Sequence, residues 1–119
     1  FQDARVVVEA KGNPLASGLP SEWVMKDEWY SFTNNPRKSG STIIATLDEA
    51  SYDPVGMPGQ QLRMGDHPIV WSRCVGRGRA FYSAIGHRPE TYSDPRYVTM
   101  LENAVVWAAE GRQRGCSAQ

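Results

Sequence analysis

The chain holds two histidines, His67 and His87, and each stands near carboxylates. His87 lies in "IGHRPETY", with Glu90 close behind it and the strand-like run "GRAFYSAI" just before it. A histidine oriented by a nearby acid can serve as a general base. The plainer reading is a polar turn that His87 closes with a hydrogen bond, with Glu90 a solvated acid near a helix start. His67 sits in Asp66-His67-Pro68, where Asp66 either caps the turn through its backbone or faces a ligand with His67. Asp27 and Glu28 directly precede Trp29 and Tyr30. Carboxylates for hydroxyls and ring faces for C–H surfaces are what sugar binding uses, although the same composition describes an ordinary strand end. Asp48 and Glu49 repeat the pattern more weakly ahead of Tyr52.

Three chemistries follow. One is acid–base work on a sugar, with His87 as base and Glu28 or Glu90 as acid or orienter; a pair of carboxylates across the sugar is the glycosidase arrangement. A second is carbohydrate binding without catalysis, with Asp27, Tyr30, Asp66, His67 and Tyr92 as ligand contacts. The third is a metal site from His67, His87 and one of Asp66, Asp27 or Glu28, a set suited to Zn²⁺ with an open position.

The elements that must carry these groups are short. "ARVVVEA" (4–10) reads as a strand, and 11–23, rich in Gly, Pro and Ser, as a loop. "DEWYSF" (27–32) reads as a short strand or one helical turn, 34–40 as a turn and "STIIATLD" (41–48) as a strand. Residues 49–66 form a long surface excursion. "HPIVWSRCV" (67–75) and "RAFYSAI" (79–85) flank "GRG" as a β-hairpin, whose pairing sets residues 67 and 87 opposite each other at the open end. "GRGR" lacks the spacing of a phosphate loop. The helix spans 94–111: Asp94 suits its N-cap, Pro95 its first turn and Gly111 its stop. Tyr97, Leu101, Ala104, Val105 and Ala108 make its apolar stripe. Residues 1–111 then form one domain and 112–119 a loose tail. Trp71, Phe81 and Trp107 read as core, as does Cys74, a buried small hydrophobe.

One helix covers one sheet face. The aromatic content of the other face points to a second copy of the chain or to the missing part of a larger α/β unit. Thirteen basic residues balance thirteen acidic ones, which argues against a nucleic-acid or anionic-membrane partner. No apolar run approaches the ~20 residues of a membrane span. The opening "FQDARVVVEAKG" lacks the order of a signal peptide and an initiator Met, as expected of a mature start or a piece of a longer chain. Nothing here assigns a compartment.

"MGDHPIVWSRCVGRGRAFYSAIGHRPETYSDPRYV" (64–98), with "NPLASGLPSEWVMKDEWYSFTNNPR" (13–37), "TLDEASY" (46–52) and "ENAVVWAAEG" (102–111), resembles the C-terminal half of the ThuA-like domain, named for trehalose utilisation. The likeness implies a flavodoxin-like α/β/α sandwich similar to class I glutamine amidotransferases, of which this chain would be the C-terminal half. It further implies a bacterial protein of carbohydrate metabolism, a hydrolase-type enzyme on a trehalose-like disaccharide. In amidotransferases a late strand delivers a histidine and a glutamate to a cysteine nucleophile, and His87 and Glu90 occupy a comparable place. The spacing differs and the nucleophile is lacking, so glutaminase activity is not expected. The family's D-H-P near "AKGNPLA" is also missing.

Overall fold

The computed structural model describes residues 1–110. Five strands form one sheet in the order β2-β1-β3-β4-β5: β1 Gln2–Val8, β2 Glu22–Asp27, β3 Thr42–Asp48, β4 Pro68–Val75 and β5 Gly78–Ser83. Every ladder is antiparallel. The one α-helix among the described residues, α1, spans Pro95–Ala109. The described residues therefore form an α/β arrangement with one antiparallel sheet and one helix, and contain no parallel pair of the kind that dominates a flavodoxin-like sheet.

The period-2 rule builds the sheet. On β1, Ala4, Val6 and Val8 point inward; on β2, Trp23, Met25 and Asp27 do, while Glu22, Val24 and Lys26 face solvent. β2 lies across the boundary of the stretch expected to be a loop, and Trp29–Phe32 carry no strand. Here the inward position that ends the strand is an aspartate, so the apolar alternation fades where the strand is most buried. β3 carries a register irregularity around Ile44, and Ile43, Ile44 and Ala45 are all buried. The hairpin forms, but one residue out of the expected register: Val75 pairs with Gly78 and Val70 with Ser83, so position 67 would face 86 rather than 87, and Gly76 supplies the positive φ of the tight turn.

α1 begins as its sequence requires. The Asp94 carboxylate accepts from the Arg96 amide, and Pro95 occupies the first turn. Its buried line is Tyr97, Met100 and Ala104, with Leu101 and Trp107 half-buried beside it. The expected stripe was rotated: Val105 and Ala108 are exposed. The inward rows belong to the helix's contacts with β5 and with the 3-10 turn Pro14–Ala16, where Asn103 Nδ2 donates to the carbonyls of Leu15 (3.3 Å) and Ser17 (2.7 Å).

Two core assignments change, those of Trp71 and Cys74. Trp71 is half-buried and stacks on exposed Tyr82, with ring centroids 4.3 Å apart, and Phe32 meets both rings edge-on. Trp107, like Phe81, is half-buried and packs against the core, with the Arg79 guanidinium over its ring. Cys74 faces solvent, because an alternate position near the hairpin tip has no layer above it; it is not a free thiol. The expected tail, 112–119, lies outside the described residues. Among those described, no helix is long and apolar enough to cross a membrane.

Candidate functional site

Beyond β5 the chain runs through Ala84–Arg88 into a 3-10 turn at Pro89–Ser93 and then into α1. This loop carries His87 and is held from both sides. Its amides point to β2: Gly86 N–H donates to Asp27 Oδ2 (3.0 Å) and His87 N–H to Asp27 Oδ1 (3.1 Å). Its carbonyls point the other way: Tyr97 Oη donates to Ile85 O (2.7 Å) and Tyr92 Oη to Gly86 O (2.9 Å). Gly86 adopts φ +121°, and a Cβ there would lie 2.6 Å from Tyr92 Oη. Only glycine fits beneath the two tyrosines.

With its backbone fixed, the His87 ring meets two side chains from the segment after β2. Its Nδ1 forms a short contact with the Glu28 carboxylate, and Tyr30 Oη lies 3.3 Å from the same nitrogen. Tyr30 Oη itself donates to Glu28 Oε2 (3.1 Å). That hydrogen bond, then burial and the Glu28 charge, raise the Tyr30 pKa, so the phenol stays a donor. A carboxylate on Nδ1 selects the tautomer protonated there. Nε2 then carries the lone pair, and it has no hydrogen-bond partner among the described residues. The His87 and Glu28 side chains are 51% and 43% exposed, so the pair is open to a ligand. Phe1 packs edge-on against the ring at 5.1 Å.

His67 has the opposite setting. It is 1% exposed, and both ring nitrogens face acceptors: Nε2 lies 2.8 Å from Tyr30 O, and Nδ1 2.8 Å from Glu49 Oε2. Tyr52 Oη is 3.2 Å from Nδ1. A carbonyl only accepts, so Nε2 donates to Tyr30 O, while Nδ1 is shared between the Glu49 carboxylate and the Tyr52 hydroxyl. Glu49 also accepts from the amides of Met64 (2.6 Å) and Gly65 (3.0 Å). Burial alone would raise the Glu49 pKa; the Met64 amide, His67 and the Gly65 amide outweigh it and hold the carboxyl below its ordinary value. Burial, followed by the Glu49 charge, pushes Tyr52 up to about 12.

The expected residues therefore separate. His87, Glu28 and Tyr30 come together. Glu90 does not join them: its carboxylate lies 3.6 Å from Arg88 Nε and faces solvent, since the 3-10 turn after Pro89 carries it away from the ring. Asp27 is fully buried, and both of its oxygens are taken by the protein, so it offers nothing to a ligand. Asp66 is bound by Arg37 and Asn35, and Arg37 also grips Glu9, so Arg37 anchors this loop. Tyr92 uses its hydroxyl on the loop and leaves its ring exposed. The two histidines do not share a ligand position, because the hairpin ladder ends at Val70–Ser83, after which His67 turns inward and His87 outward. Both His67 nitrogens are engaged by protein groups and the ring is buried, which leaves it no open position for Zn²⁺. Among the described residues no group of three His, Cys, Asp or Glu side chains is placed to hold a metal. The sequence reading did not single out Thr91, and it ranked Glu49 low; a carboxylate at the start of a long excursion is no signal by itself.

Residues 1–108 match the family model ThuA, described as trehalose utilisation. The chain belongs to the ThuA family. Among solved structures it is similar to a ThuA-like protein from Bacteroides uniformis, with 30% sequence identity and a TM-score of 0.77. That likeness covers 97% of this chain and 46% of the other, so the ThuA chain described here spans about half that protein's length. No curated protein matches it.

Proposed function

We infer that this ThuA-family chain contributes a sugar-contacting group to a site for a trehalose-like disaccharide, with His87 as hydrogen-bond acceptor or base, Glu28 as its orienter and Tyr30 as a hydroxyl donor. The observation that carries the reading is the open Nε2 of a histidine whose other nitrogen is held by a carboxylate. That arrangement takes a proton from a hydroxyl, or accepts its hydrogen bond, with the proton's destination already set. The family's link to trehalose utilisation supports a carbohydrate as ligand. The Trp71–Tyr82 stack, with Tyr82 exposed, meets Phe32, two residues along the chain from Tyr30. Exposed aromatic surface beside a polar cluster suits the C–H face of a sugar.

Hydrolysis asks for more. Both glycosidase mechanisms need two carboxylates across the scissile bond, and only Glu28 reaches His87. Binding or proton transfer is the better-supported role for these residues alone, and a hydrolase would need a second acid from elsewhere. We also infer that the antiparallel sheet belongs to a larger amidotransferase-like sandwich, since the related ThuA-like protein is about twice as long.

The test is an amide NMR titration of the chain with α,α-trehalose. Shifts centred on Gly86, His87 and Tyr30, abolished in His87→Ala, are expected. Shifts elsewhere, or none at saturating sugar, overturn the reading; released glucose would add hydrolysis to binding.

A further inference from the structure

We propose that Asp27 is a positioning residue that sets the pairing of His87 with Glu28. The proposal rests on reading His87–Glu28–Tyr30 as the working group, but its geometry stands without any ligand.

The buried carboxylate accepts four hydrogen bonds, divided in a particular way. Oδ1 accepts the backbone N–H of Glu28 (2.8 Å) and the backbone N–H of His87 (3.1 Å). Oδ2 accepts the N–H of Gly86 (3.0 Å) and the hydroxyl of Thr91 (2.8 Å). One oxygen therefore ties together the main chains of the two residues whose side chains form the acid–histidine pair. These residues are far apart in sequence, on different elements, and no strand ladder joins β2 to β5. Asp27 supplies the cross-link that the sheet does not.

A buried carboxylate is costly to desolvate and is retained only where its lone pairs are filled. If holding two segments together were all that was needed, apolar packing would serve. What the carboxylate adds is direction. Amide donors converging on one oxygen set the orientation of the His87 peptide, and the tyrosine bonds to Ile85 O and Gly86 O set the opposite edge of the same loop. The loop thus delivers the ring beside Glu28, where Phe1 packs edge-on against it. Thr91 completes the arrangement: its hydroxyl saturates Oδ2 from the turn that starts the approach to α1, so the carboxylate cannot rotate away. Fixing a reacting side chain through its supports to within a fraction of an ångström is what such groups provide.

The test uses the unliganded full chain and the ¹⁵N shift of His87 Nδ1, which senses the Glu28 hydrogen bond, together with cross-peaks between the His87 and Tyr30 rings. Asp27→Asn replaces one acceptor oxygen by a donor group. It is expected to move the Nδ1 shift to the value seen in Glu28→Gln and to remove the cross-peaks. Thr91→Val should move the shift part of the way, and Thr91→Ser, which keeps the hydroxyl, should restore it. If Asp27→Asn does not fold, the Thr91 pair decides the question. Variants that melt earlier while keeping the wild-type Nδ1 shift and cross-peaks would show Asp27 to be structural only and overturn the proposal. A displaced Nδ1 signal in the variant, with no response of the wild-type chain to trehalose, would leave the positioning role standing and remove the sugar reading alone.

Discussion

The two histidine clusters use the same parts in different places. His67 has Glu49 and Tyr52; His87 has Glu28 and Tyr30. In the first, every ring nitrogen is spent on the protein and the ring is buried. In the second, one nitrogen is spent and the other faces out. Composition does not distinguish them; burial and the count of satisfied nitrogens do. The first cluster ties the long 49–66 excursion to the sheet, and the second leaves an exposed acid–histidine pair at its edge. Tyr30 belongs to both, giving its carbonyl to His67 and its hydroxyl to the His87 group. The structural cluster thereby holds one wall of the exposed one.

The sharpest way to break this comparison is to remove one partner from the buried cluster. His67→Ala leaves the Glu49 carboxylate buried without its histidine partner, and Glu49→Gln leaves two amides and a buried imidazole poorly matched. Breaking a buried, hydrogen-bonded pair costs roughly 3–5 kcal/mol. Urea unfolding should show that loss for either variant. A cost near zero would mean the 49–66 excursion is held by other contacts and that the two clusters are not different in kind.

A smaller loss is expected at the loop beneath His87. Gly86→Ala places a Cβ at φ +121°, against Tyr92 Oη and Tyr97 Oη. Strain of this type costs about 1–3 kcal/mol. The same variant should disturb the His87 ring signals, which a distant destabilising change would not. If it were neutral in stability and left those signals unmoved, the two tyrosines would not be defining the loop.

Acid titration separates the clusters further. Glu49's folded pKa lies below its ordinary value of 4.5. A depressed carboxyl contributes stability that is present above the unfolded value and lost as pH falls through the folded one. Asp94, held down chiefly by Arg96, and Asp66, held down chiefly by Arg37, act in the same direction. Asp66 contributes less than its hydrogen bonds suggest, because it and Arg37 are largely exposed and screened. The urea midpoint should therefore be flat down to about pH 4.5 and fall below it, and the fall should be shallower in Glu49→Gln. An unchanged acid limb in that variant would place the linkage elsewhere.

Much of this was legible in the residues, and what was not has identifiable causes. The hairpin and α1 declared themselves through glycine turns, the Asp94 cap and Pro95, all local signals. β2 did not, because its inward row ends in Asp27 and its start lies in a Gly/Pro/Ser stretch. For His87 the residues offer two acids, Glu28 and Glu90: Glu90 is near in sequence, but Glu28 is the one that reaches the ring, because the Asp27 carboxylate draws β2's end against the loop. The same fact explains why the expected union of His67 and His87 did not occur. A pairing of 67 with 87 is one residue out of the observed register, and the ladder ends at Val70–Ser83, beyond which side-chain hydrogen bonds, invisible to alternation, decide direction.

The smallest effect is the one that completes the comparison. Glu28→Gln and His87→Ala remove groups that are about half exposed and whose contacts are with each other and with Tyr30. Exposed substitutions of this kind usually stay within about 0.5 kcal/mol. Their stability should match the wild type even though the ring environment changes entirely. The contrast with His67→Ala is then several kcal/mol for the same residue type, paired with the same kind of acid, in one small chain. If His87→Ala instead destabilised the chain as much as His67→Ala, the exposed cluster would be holding the fold. Its open Nε2 would then be incidental, and the case for a working histidine at that edge of the sheet would be lost.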